Sequence, residues 1–143
     1  MVRASGHVNS TRGACVRGYD FSTEALAQAR KAGEGPGLAF EKVDLNRADS
    51  WQPRPGSVDL VTCRGTLSYL NQPHILDLSV RALTPKGALY VLTPVGAPSY
   101  RAGRFGLHLT EEEITALKAG WASSRSYEFS ATARALLLRG YGG

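Results

Sequence analysis

A three-layer α/β domain, its sheet mostly parallel with an antiparallel hairpin at the C-terminal end, is predicted by three observations. Apolar strand-like runs alternate with helical patterns along the chain, the order that builds parallel strands joined by crossover helices. Two of the runs close on an acid, at Asp20 and Asp44. The last twenty residues read as two short strands joined by a tight turn.

Residues 14–19 form the first strand-like run, and Asp20 ends it. Ser22 then stands as a helix N-cap, Glu24 complements the positive helix end, Leu26 and Ala29 supply the buried stripe, and Gly33 stops the helix. A glycine-rich loop leads to a second strand over residues 38–45, with Leu38 and Phe40 on one face and Ala39, Glu41 and Val43 on the other. Residues 46–57, polar and carrying Pro53 and Pro55, are a connection.

Residues 58–63 are almost wholly apolar, as a central parallel strand buried on both faces reads, with Asp59 as a structural acid near its start. Pro73 opens the next helix, for which the spacing of Leu76, Val80 and Leu83 predicts the buried stripe, and Pro85-Lys86-Gly87 ends it. Residues 88–92 make another unbroken strand. The loop over residues 95–107 holds four glycines or prolines and is long enough for a lid or binding segment. Thr110 to Glu113 is a capping box, stapled by Leu109 and Ile114, for a helix expected to reach Ala119 before Gly120. Residues 124–129 and 132–139 complete the hairpin.

The chain has 143 residues, 43% of them hydrophobic, enough for one domain that buries roughly two-thirds of its unfolded surface. No apolar stretch approaches the ~18 residues of a membrane span, and residues 1–12 lack the apolar core of a signal peptide, so a cytoplasmic protein is expected. Cys15 and Cys63 lie in strand-like runs and read as reduced core thiols, and the scattered His7, His74 and His108 offer no metal set. The net charge of +5 raises the question of nucleic acid, but the seventeen basic residues are dispersed, with Arg30-Lys31 the one adjacent pair and no interleaved aromatics, which argues against it.

The strand's carboxyl end faces the ligand crevice in an open α/β sheet, which places Asp20 to accept hydrogen bonds from ribose hydroxyls. The same Asp20-Phe21-Ser22 reads equally well as a turn followed by an N-cap, with no ligand. Beyond single residues, the order of motifs resembles the class I S-adenosylmethionine-dependent methyltransferases over residues 14–143: a strand ending in an acid, Val43-Asp44-Leu45, Val58-Asp59-Leu60-Val61, Leu-x-Pro-x-Gly before a strand, and a final helix and hairpin. That resemblance implies a Rossmann-like sheet and S-adenosylmethionine as cofactor. It implies that Asp20 holds the ribose and Phe21 lies against the adenine, while Asp44 and the amide of Leu45 take its amine and a ring nitrogen. Cys63, Arg64 and Thr66 would line the methionine end. Tyr69, Tyr100, Arg104 and His108 would face a small-molecule methyl acceptor, and no catalytic base is identified.

The chain departs from that family at its start. The family's first strand, the Gly-x-Gly loop that approaches the methionine carboxylate, and the helix after it have no counterpart, since Gly6 and Gly13 stand seven residues apart and follow no apolar strand. Residues 1–13 are therefore expected to be an irregular segment ahead of a domain over 14–143. Because the absent strand is central, its neighbours should close up or leave a gap rather than admit the polar N-terminus. The domain should then be marginally stable and prone to self-association through strand edges. Methyl transfer by this truncated chain is in question, and a non-catalytic interaction module is the alternative. A nicotinamide dehydrogenase ranks a poor third, because no Gly-x-Gly-x-x-Gly follows any strand.

Overall fold

The computed structural model describes residues 2–6, 15–47, 49–97 and 108–142, with side chains from residue 15 onward. The strands are β1 (Val2–Gly6), β2 (Cys15–Asp20), β3 (Leu38–Lys42), β4 (Val58–Arg64), β5 (Leu83–Pro94), β6 (Trp121–Ser130) and β7 (Ala133–Tyr141). The helices are α1 (Thr23–Ala32), α2 (Gln72–Ala82) and α3 (Glu111–Lys118), with a single 3₁₀ turn at Leu67–Tyr69. The strands form one sheet in the order β3-β2-β1-β4-β5-β7-β6.

The central position is occupied, contrary to the expected closure or gap. Val2–Gly6 is not irregular. It pairs antiparallel with β2 on one side and with β4 on the other. Two physical reasons account for this. A slot between two parallel strands presents buried amides and carbonyls whose pairing depends on backbone, not on side-chain polarity, so a polar segment can satisfy them. The direction follows from chain length, because residues 7–14 are too few for the crossover of a dozen or more residues that a parallel neighbour requires, whereas an antiparallel one needs only a short link.

The pairs β2–β3 and β4–β5 are parallel, and β7 runs antiparallel between β5 and β6. From β2 the chain moves outward to β3, and from β4 it moves the opposite way to β5. Right-handed crossovers therefore put α1 and α2 on opposite faces of the sheet. The large core lies on the α2 and α3 face, where Val61, Val91, Leu136 and Leu138 from the strands meet Ile75, Leu78, Ile114 and Leu117 from the helices. On the other face α1 buries Leu26 near Phe40, both outside that core.

Local signals decide most boundaries. The Ser22 hydroxyl accepts from the amide of Ala25, and Gly33 donates back to Ala29 and Arg30. Asn71 caps α2 just ahead of Pro73, and the reciprocal Thr110/Glu113 capping box is formed. Four details differ from expectation. The buried face of α2 is Ile75, Leu78, Ser79 and Ala82, one step around from Leu76, Val80 and Leu83. Strand β5 begins at Leu83 and includes Pro85 to Gly87, with a register shift between Val58 and Leu60 of its partner. Strand β3 ends at Lys42, which leaves Val43 to Leu45 in the following connection. Helix α3 ends at Lys118, and Gly120, at φ +79°, makes the turn into a hairpin longer than expected.

Candidate ligand crevice

The parallel strands β2, β3, β4 and β5 all deliver their carboxyl ends to one edge of the sheet, and the direction of chain travel reverses between β2 and β4. Crevices form at such a reversal. Asp20 closes β2 there, and its Oδ1 accepts from the amide of Ser22 at 2.9 Å. Phe21 follows with 65% of its surface exposed, so its ring projects into solvent at the crevice rim. Val43 donates its amide to the carbonyl of Asp20 at 2.9 Å, which carries the chain past β3 to Asp44.

Asp44 makes the same kind of turn, with Oδ1 accepting from the amide of Asn46 at 3.1 Å. Leu45 is buried in the core. Asn46, which sequence reasoning passed over, ties two sides of the crevice together. Its Nδ2 donates to the carbonyl of Tyr69 at 3.1 Å, and its Oδ1 accepts from the amide of Asn71 at 2.8 Å. Trp51 is also unanticipated. It lies in the proline-rich connection, yet it is buried against Tyr19 with ring centroids 5.5 Å apart. A cavity of about 370 Å³ opens beside Asp44, bounded by Lys42, Arg47 and Asp49.

At the end of β4, Cys63 is 1% exposed and its side chain turns into the core instead of lining the crevice. Burial drives the thiol from its ordinary value of 9.0 up to about 11. The thiol is therefore neutral, and a poor nucleophile, in the physiological range. A folded-state value above the unfolded one gives a stabilising contribution that is complete below about pH 9 and is lost as pH climbs through about 11. Alkylation at pH 8 should modify Cys63 only after denaturant is added, whereas labelling in the native state at the rate of a free thiol would show that the strand end is open.

Arg64 and Gly65 are exposed, and Gly65, at φ +64°, donates its amide to the carbonyl of Leu92 at 2.8 Å. Thr66 Oγ1 donates to the carbonyl of Arg64 at 3.0 Å, and Tyr69 is 58% exposed. Tyr100 and Arg104 lie outside the described residues. His108 is buried; its Nε2 sits 2.7 Å from the carbonyl oxygen of Ala97, and its ring lies so close to Gly96 that a Cβ there would approach within 2.9 Å. Next to it a second cavity, about 400 Å³, is lined by Gly96, Thr110, Glu111, Glu128 and Arg134. Arg134 clasps Glu111 through two hydrogen bonds of 2.7 and 2.9 Å, a pair with no spacing signal in the sequence because 23 residues separate its members. Asp59, by contrast, is structural as expected, accepting from the hydroxyl of Thr84.

Residues 4–87 match the family described as a methyltransferase domain. A curated ubiquinone biosynthesis O-methyltransferase from Cupriavidus pinatubonensis is 34% identical over 82 residues, 57% of this chain and 33% of that protein. The chain thus spans a third of the length of that relative. An S-adenosylmethionine-dependent methyltransferase from Mesorhizobium loti superposes with a TM-score of 0.68 at 20% identity, over 86% of this chain and 79% of that one. Human N-acetylserotonin methyltransferase, solved in complex with SAM, gives 0.59 at 17% identity, over 86% and 39%. At these identities the structural likenesses speak to the fold.

Proposed function

We propose, from the premise that this chain belongs to the class I S-adenosylmethionine-dependent methyltransferases, that its crevice holds the nucleoside half of S-adenosylmethionine and that the parent activity is methyl transfer to a small molecule. The observation that carries this reading is the pair of acids Asp20, which ends β2, and Asp44, two residues past the end of the adjacent parallel strand β3. A carboxylate has about four acceptor sites. Each aspartate can therefore keep its turn and still receive ribose hydroxyls, at Asp20, or the adenine amine, at Asp44. Phe21 is exposed where a base could lie on it, and the Leu45 amide follows Asp44. When bound, the cofactor supplies an activated methyl group, and the protein's part is to align an acceptor about 3 Å away in a dry site. Tyr69 and the cavity beside His108 stand on the acceptor side, with Arg64 and Thr66 between.

The fit is incomplete at the methionine end. Strand β1 runs the wrong way to deliver a loop to the crevice, since Val2 pairs with Tyr19 and Cys63 near the carboxyl ends of β2 and β4 while Gly6 lies at the far end. Calorimetry with S-adenosylmethionine and with adenosine should therefore show similar, weak affinities, both lowered by Asp20→Ala. A constant near 1 µM or tighter for S-adenosylmethionine, about −8.2 kcal/mol, would show that the methionine end is held after all. Equal binding by Asp20→Ala would reduce Asp20 to a turn residue.

A further inference from the structure

The sheet is covered unequally. Over β4, β5, β7 and β6 the face away from the main core carries no helix among the described residues, because α1 lies over β2 and β3 at the opposite end. Alternation along the strands shows the difference: Val61, Val91, Leu136 and Leu138 are sealed in the core, while Leu60, Tyr90, Leu92 and Leu137 between them are only half-buried and Tyr127 is 51% exposed. An apolar sheet face left in water marks an interaction surface.

Charge says what kind. The face consists of three cross-strand rows, and each contains one arginine and no carboxylate: Arg64 in one, Arg125 in the next, Arg139 in the third. Among the described residues the ion pairs engage Arg17, Arg30, Arg81 and Arg134, and none engages these three. We infer that this face docks an acidic amphipathic helix of a partner protein, its apolar stripe against Tyr90 and Leu137 and its carboxylates against Arg125 and Arg139. A helix of about 18 residues, roughly 27 Å long, spans the patch. Opposite charge at the rim sets partner choice and orientation.

The test uses a fluorescent helical peptide with a leucine stripe flanked by glutamates, and a twin in which lysines replace the glutamates. The glutamate peptide should bind at least about tenfold tighter, a difference of 1.4 kcal/mol. The double variant Arg125→Glu/Arg139→Glu changes only exposed positions, so it should melt like the parent and reverse the preference. Leu137→Ser should weaken both peptides. Equal binding of the two peptides, absence of binding, or a preference unchanged in the double variant would overturn the inference. So would a dimer by sedimentation that Leu137→Ser dissolves, since the occupant would then be a second copy of this chain.

Discussion

Deletion of residues 1–6 should abolish the cooperative thermal transition. Strand β1 is hydrogen-bonded along both sides, to β2 from Val2 to Gly6 and to β4 from Val2 to Ser5. Its removal orphans two ladders at once. Each buried group left unpaired costs about 1–3 kcal/mol, and several of them exceed the 5–15 kcal/mol that holds a typical domain together. Circular dichroism through a melt, with a hydrophobic dye to report exposed core, reads the result. A truncated chain that melts within a few degrees of the parent would mean that β2 and β4 close up and pair directly.

The second large effect concerns the cofactor. Replacing residues 1–14 by a parallel strand, a Gly-x-Gly turn and a covering helix should raise affinity for S-adenosylmethionine at least about a hundredfold, while affinity for adenosine stays within a few-fold. The gain comes from amides reaching the methionine carboxylate, and hydrogen bonds to a charged group are worth about 1.5–3 kcal/mol each, so two suffice. An adenosine affinity that rises in parallel would mean that the graft repaired the fold rather than the missing half of the site.

What was legible in the sequence was local. Ser22 and Thr110 cap helices through contacts three residues away, and the strand-ending acid at Asp20 needs only its own turn to be recognised. The stripe of α2 was misplaced because Ile75 to Leu83 offers two interleaved apolar registers, and only packing against the sheet selects Ile75, Leu78 and Ala82. Pro85 looked like a break, yet it is tolerated where β5 pairs irregularly with β4 between Leu83 and Ala88. The largest miss, β1, had no local signature at all. Its place is dictated by unpaired backbone on two strands elsewhere in the chain, so a judgement from the polarity of residues 2–6 could not find it. Trp51, Asn46 and the Arg134–Glu111 pair were hidden for the same reason, each being defined by a distant partner.

The reversed central strand also bears on how the chain folds. A parallel strand beside β2 waits for a helix to form and return, whereas β1 and β2 meet by closing a short loop, an event of 10–100 ns for about ten residues. The half-sheet β3-β2-β1 can thus assemble early and offer the outer edge of β1 as a template. The second half-sheet, β4-β5-β7-β6, is joined to it by the β1–β4 ladder from Val2 to Ser5. If sub-global opening parts the sheet at that ladder, the β1 and β4 amides should exchange while those of β5 and β7 stay protected.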